Sequence, residues 1–121
     1  MSKKILIFDD DADILSICSY ILEEQGWDVQ TRSDCNDIVD VVEAFMPDVI
    51  LMDNWIPDTG GIVATQKLKG HPEYKSIPVV YFSANNDIKH LAEQAGADTF
   101  LPKPFDIAQL EQVIESVHKS R

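Results

Sequence analysis

Asp9, Asp10 and Asp11 stand in a row directly after an apolar run at 5–8, in the stretch "IFDDDADIL". Carboxylates held a few ångströms apart repel one another, so something must offset the repulsion. Other polar groups follow apolar runs in the same way: Asp53 after "VILM", Ser83 after "VVYF", and Lys103 inside "LPKPF". Together these residue types suit one chemistry. A hard divalent cation makes clustered carboxylates favourable, and all-oxygen ligation with retained waters suits Mg²⁺. One carboxylate can then act as a nucleophile toward phosphorus. Ser83 can donate to a phosphoryl oxygen, and Lys103 can pair with it as a point charge.

Such groups act only if the chain gathers them. Short apolar runs alternate with helix-period segments along the sequence. The run at 4–8 leads into a helix from about Ala12 to Gln25, with Ile14, Ile17, Cys18, Ile21 and Leu22 on one face and Gly26 as its stop. "WDVQT" (27–31) is a less buried strand. Ser33 or Asp34 is placed to cap the next helix, whose apolar face is Ile38, Val41, Val42 and Phe45 and which Pro47 ends. "DVILM" (48–52) precedes a helix carrying Ile62, Val63 and Leu68 to Gly70. "IPVVYF" (77–82) precedes one carrying Ile88, Leu91, Ala92 and Ala95 to Gly96. "TFL" (99–101) is the last strand. Asp106 and Gln109 then form a capping box for a helix faced by Leu110, Val113, Ile114 and Val117. Runs that are apolar throughout predict strands covered on both faces, hence a parallel sheet between helix layers. Sites in such folds lie at the carboxyl ends of the strands. The acidic group, Ser83 and Lys103 all fall there.

The length of 121 residues predicts a single domain, 1–121, able to bury a core without disulfide or metal staples. A formal net charge of -11 argues against direct binding to nucleic acid or an anionic membrane, because phosphate-backbone binding rests on Lys and Arg. Cys18, among isoleucines, reads as a buried core residue, and Cys35, in a polar stretch, as partly exposed. Two thiols with no disulfide framework fit a reducing cytoplasm. The first apolar run is too short for a signal peptide, and none approaches membrane-spanning length, so a cytoplasmic location is expected. His71, His90 and His118 show no ligand spacing.

In order and type these residues resemble a response-regulator receiver domain, the phosphoacceptor module of two-component signalling, over essentially the whole chain. "ILIFDDDADIL" resembles its acidic-pair motif, "DVILMDNWIPDTGG" its phosphoacceptor motif, "VVYFSA" its hydroxyl motif and "GADTFLPKPF" its lysine motif. The resemblance implies a flavodoxin-like doubly wound sheet of five parallel strands in the order 2-1-3-4-5. It implies metal roles for Asp9, Asp10 and Asp53, the last also being the residue phosphorylated, and for Trp55 through its backbone carbonyl. It makes Ser83 the switch hydroxyl, with Ala84 beside the phosphoryl group, Phe100 the aromatic switch residue and Lys103 the phosphoryl-pairing lysine. It makes the Lys103–Pro104 bond cis, which proline renders accessible. Mg²⁺ is the implied cofactor. A sensor histidine kinase or histidine phosphotransfer protein is the implied donor, and an unidentified downstream protein reads the face of helix 4, strand 5 and helix 5. No enzyme activity is implied beyond the chain's own phosphorylation and dephosphorylation. Trp55 and Asn85 flank the approach of water and are expected to tune the phosphoryl lifetime.

Some positions depart from that pattern. Asp11 is a third acid, read as a helix N-terminal residue favoured by the dipole. Gly60 stands where Asp is frequent. Pro102 requires the fifth strand to be an edge. Thr99 stands where regulators that dimerise through their last helices usually have Asp.

Two other functions compete. One is an aspartate-nucleophile hydrolase of the haloacid dehalogenase type, which "IFDDDAD" weakly matches through Asp9 and Asp11. In that reading Asp13 stands where Thr or Val is usual, and Asp53 has no role. The other is a pseudo-receiver that binds partners without phosphorylation, against which the intact acidic set argues.

Overall fold

The computed structural model describes residues 3–54 and 60–120. Strands and helices alternate along the chain: β1 (Lys3–Phe8), α1 (Ala12–Glu24), β2 (Trp27–Arg32), α2 (Ile38–Phe45), β3 (Val49–Asp53), α3 (Gly61–Lys69), β4 (Val79–Ser83), α4 (Ile88–Ala95), β5 (Thr99–Pro102) and α5 (Ile107–Ser120). The strands form one parallel sheet in the order β2-β1-β3-β4-β5, the arrangement expected. β5 is an edge strand, and an edge tolerates Pro102 at its end.

Successive strand residues face opposite sides, so each apolar run feeds two cores. Leu6, Phe8, Ile50, Met52, Val79 and Tyr81 pack with α2, α3 and α4. Ile5, Ile7, Val49, Leu51, Val80 and Phe82 pack with α1 and α5. That two-sided burial is why the runs show no polar alternation.

The helix faces differ from the periodic reading in places. On α1, Leu15 joins Ile14, Cys18, Ile21 and Leu22 against the sheet, while Ile17 on the flank of the stripe is 55% exposed. On α3 the buried face is Gly61, Ala64, Thr65 and Leu68, and Val63 is exposed. Gly61 is required there, because a Cβ would sit 2.2 Å from the Asp53 carbonyl oxygen. Neither Ser33 nor Asp34 caps α2. Asp34 Oδ1 instead accepts from the Asn36 N–H in a local turn, and the helix starts after Asp37, itself left-handed at φ 56. Cys35 is buried rather than partly exposed, because that turn folds it inward with its Sγ 3.6 Å from Met52 Sδ. The capping box of α5 is present: Gln109 N–H donates to Asp106 Oδ1 and Asp106 N–H to Gln109 Oε1.

Candidate functional site

The hydrogen-bond ladder runs one residue past β1 and one past β5. Asp9 N–H donates to Arg32 O at 3.1 Å and Lys103 N–H to Ser83 O at 2.9 Å. Continuing the alternation of their strands, Asp9, Asp53 and Lys103 then share the α1/α5 side of the sheet's carboxyl edge. Their side chains meet. Lys103 Nζ donates to Asp9 Oδ2 at 2.8 Å and to Asp53 Oδ1 at 2.9 Å. The two carboxylates are 1% and 5% exposed, and the lysine side chain 18%. The ammonium also lies 4.6 Å from the centre of the Phe82 ring. A lysine from the far end of the sequence therefore offsets the repulsion expected between the two carboxylates.

Asp9, Asp10 and Asp53 each offer a carboxylate oxygen, all within 4.8 Å of one another. Asp10 is exposed at the rim while the other two are buried. Three converging carboxylate oxygens fit a hard divalent cation. Asp11 is not in this group. Its carboxylate caps α1, accepting from the N–H groups of Asp13 and Ile14, and its own N–H donates to Asp9 Oδ1 at 2.9 Å, which orients Asp9.

The electrostatics follow from the geometry. Burial alone would lower the Lys103 pKa, but hydrogen bonds to Asp9 and Asp53, and their charges, raise it above the ordinary lysine value. The ammonium is thus held charged. Burial, aided by the Asp9 charge and opposed by Lys103, pushes the Cys18 thiol up to about 11. Burial, with Asp34 and Asp53, pushes Cys35 up to about 12.

Ser83 ends β4, 1% exposed, and its Oγ accepts from Asn85 N–H at 3.1 Å. Ala84 and Asn85 follow on the exposed rim. Asn85 Oδ1 accepts from Asp87 N–H at 2.8 Å, so the amide group is the part of Asn85 left to meet solvent. Phe100 is half-buried opposite Tyr81 and packs on the α2–α4 side. The Lys103–Pro104 bond is cis, as expected. Trp55 lies outside the described residues. Sequence reasoning passed over Asn54, whose Oδ1 accepts from the Tyr81 hydroxyl. The signal was available: a phenol in the middle of an apolar strand needs a partner.

A family model described as the response regulator receiver domain matches residues 5–115. The chain is 33% identical over 107 residues, 86% of its length, to the CAI-1 autoinducer sensor kinase/phosphatase CqsS of Vibrio cholerae. It is 30% identical over 119 residues, 97% of its length, to the alkaline phosphatase synthesis transcriptional regulatory protein PhoP of Bacillus subtilis. It spans only 16% of the first and 49% of the second. Among solved structures, the receiver domain of a sensor histidine kinase from Pseudomonas aeruginosa, with a magnesium ion in its active-site cleft, superposes with a TM-score of 0.89 at 25% identity. The match covers 98% of this chain and 99% of that one.

Proposed function

The chain belongs to the response regulator receiver domain family and is a phosphoacceptor signalling switch rather than a metabolic enzyme, and we propose that Asp53 is the residue that carries the phosphoryl group. The observation behind this assignment is the Lys103 ammonium bridging Asp9 and Asp53 at the carboxyl edge of the sheet.

In this reading an Asp53 oxygen attacks phosphorus, the P–N bond of a donor phosphohistidine breaks, and the imidazole nitrogen leaves with the electron pair. Asp9, Asp10 and Asp53 would hold Mg²⁺, with Trp55 contributing through its carbonyl. The cation, when bound, supplies charge neutralisation for the phosphoryl oxygens. Lys103 pairs with a phosphoryl oxygen once Asp53 is an acyl phosphate, since one of its two carboxylate partners then loses charge. Ser83 turns its hydroxyl from Asn85 N–H toward the same group, and Phe100 repacks with it, altering the face of α4, β5 and α5. The donor is a sensor histidine kinase or phosphotransfer protein, the reader is an unidentified downstream protein, and the setting is cytoplasmic. No helix among the described residues is long and apolar enough to cross a membrane. Trp55 shields the approach of water and Asn85 orients the water that enters, so Trp55→Asn should shorten the phosphoryl lifetime.

The hydrolase reading is not favoured. Asp11, the second acid of its motif, is committed to capping α1, and Asp53 stands in the site beside Lys103. The test is intact mass after exposure to acetyl phosphate and Mg²⁺. Wild type should gain one phosphoryl group and Asp53→Asn none; an equal gain in both would move the acceptor elsewhere.

A further inference from the structure

Tyr81 lies fully buried on β4, with Met52 of β3 on one side and Phe100 of β5 on the other. Its hydroxyl donates to Asn54 Oδ1, on the residue that follows Asp53. Burial foremost, with the charge of Asp53, keeps the phenol protonated, so it remains a donor. Its ring is locked by the packing of the sheet, and a close-packed core leaves such a ring little freedom. The hydroxyl therefore marks a point fixed by β4 rather than by the loop after β3.

Asn54 needs such a point. Its N–H reaches Phe82 O at 3.3 Å and its carbonyl accepts from Gly61 N–H at 3.4 Å. Both are longer than the usual N–H···O distance of about 2.7–3.2 Å. On the other side of the peptide, Asp53 O sits against Gly61, where no Cβ could fit. The 53–54 peptide thus carries the acceptor and begins the following loop, and the backbone hydrogen bonds of Asn54 on either side are long. Reacting groups must be held to a fraction of an ångström, and a small tilt of this peptide would move the carboxylate.

We propose that Tyr81 is a positioning residue for the phosphoacceptor: its buried hydroxyl holds Asn54, and through Asn54 fixes the backbone that presents Asp53. This rests on Asp53 being the acceptor.

Tyr81→Phe, Asn54→Ala and the double variant are compared with wild type. The readouts are Mg²⁺ affinity by calorimetric titration, phosphorylation rate across acetyl phosphate concentrations, and thermal midpoint. Tyr81→Phe should bind Mg²⁺ roughly threefold to tenfold more weakly and lose a similar factor in maximal rate, because one buried hydrogen bond is removed. The acetyl phosphate concentration at half-maximal rate should stay unchanged. Asn54→Ala should reproduce the loss, and the double variant should lose no more than either single, since both cut the same bond. Wild-type Mg²⁺ affinity and maximal rate in Tyr81→Phe, or losses that add in the double variant, overturn the proposal. So does a lowered thermal midpoint with both functional readouts intact. Failure of Asp53 as acceptor shows separately, as an Asp53→Asn protein that still gains a phosphoryl group or a wild type that gains none; the Mg²⁺ arm then still decides the role of Tyr81.

Discussion

Lys103→Met keeps an unbranched stem of similar length and deletes the charge between Asp9 and Asp53. Without metal, two carboxylates only 1% and 5% exposed are left facing each other. Removing one partner of a buried ion pair costs about 3–5 kcal/mol. The lysine is 18% exposed, so water can reach the vacated position and the low end is the better figure. For a chain of this length about 3 kcal/mol corresponds to a thermal midpoint lower by roughly 12 °C. Mg²⁺ should offset part of this loss, because ammonium and cation would share the Asp9 and Asp53 carboxylates. A divalent and a univalent charge roughly 5 Å apart repel by about 1.7 kcal/mol in water and about 6.6 at an effective dielectric constant of 20. Asp10 at the rim is exposed, so the aqueous end applies, and the variant should bind Mg²⁺ about tenfold more tightly. At saturating Mg²⁺ that tenfold returns about 1.4 kcal/mol, and the stability gap should close by nearly half. The assay is thermal unfolding of both proteins across a Mg²⁺ titration, with dissociation constants from calorimetry. Equal or weaker Mg²⁺ binding in Lys103→Met would refute the competition argued from these distances.

Asp10→Ala should bind Mg²⁺ more weakly and take up phosphoryl group more slowly, yet be at least as stable as wild type without metal, because an exposed like charge is removed; metal-free and metal-bound unfolding curves separate the two effects. Cys18 and Cys35, with thiols pushed up to about 11 and about 12, should resist iodoacetamide at pH 8 in the native state and react on unfolding, as mass spectrometry can follow. Unfolded thiols ionise near pH 8.5 while these stay protonated, so their contribution is complete below about pH 8.5 and falls above it by about 1.4 kcal/mol per pH unit for each thiol. Urea unfolding at pH 8 and 10 should show that loss in wild type and not in a Cys18→Ala, Cys35→Ala variant. Among the described residues, Thr65 Oγ1 is the buried side-chain polar atom without a hydrogen-bond partner, so Thr65→Val should stabilise the protein by about 1 kcal/mol in chemical denaturation; a destabilised variant would mean the hydroxyl is satisfied.

The sequence by itself was enough for the alternation of strands and helices, the parallel sheet and the placement of Asp9, Asp53, Ser83 and Lys103 at strand ends, because these follow from local patterns. A short unbroken apolar run bounded by turn residues fits a strand covered on both faces, and the residue after it then emerges at the sheet's edge. The Asp106–Gln109 capping box is equally local, closing over three residues. Which groups touch was decided by tertiary structure. Strand order and register bring Lys103 onto Asp9 across 94 residues, and no local pattern records that contact. Cys35 looked partly exposed because its neighbours are polar, but a turn at Asp34 folds it against Met52. Ile17 fitted the stripe on α1 and Val63 the face of α3, yet each helix is rotated by what it packs against, and both residues face solvent. The bond from Tyr81 to Asn54 is of the same kind. A buried phenol announces that it needs a partner; only the packing of β4 against β3 settles that the partner is the residue beside Asp53.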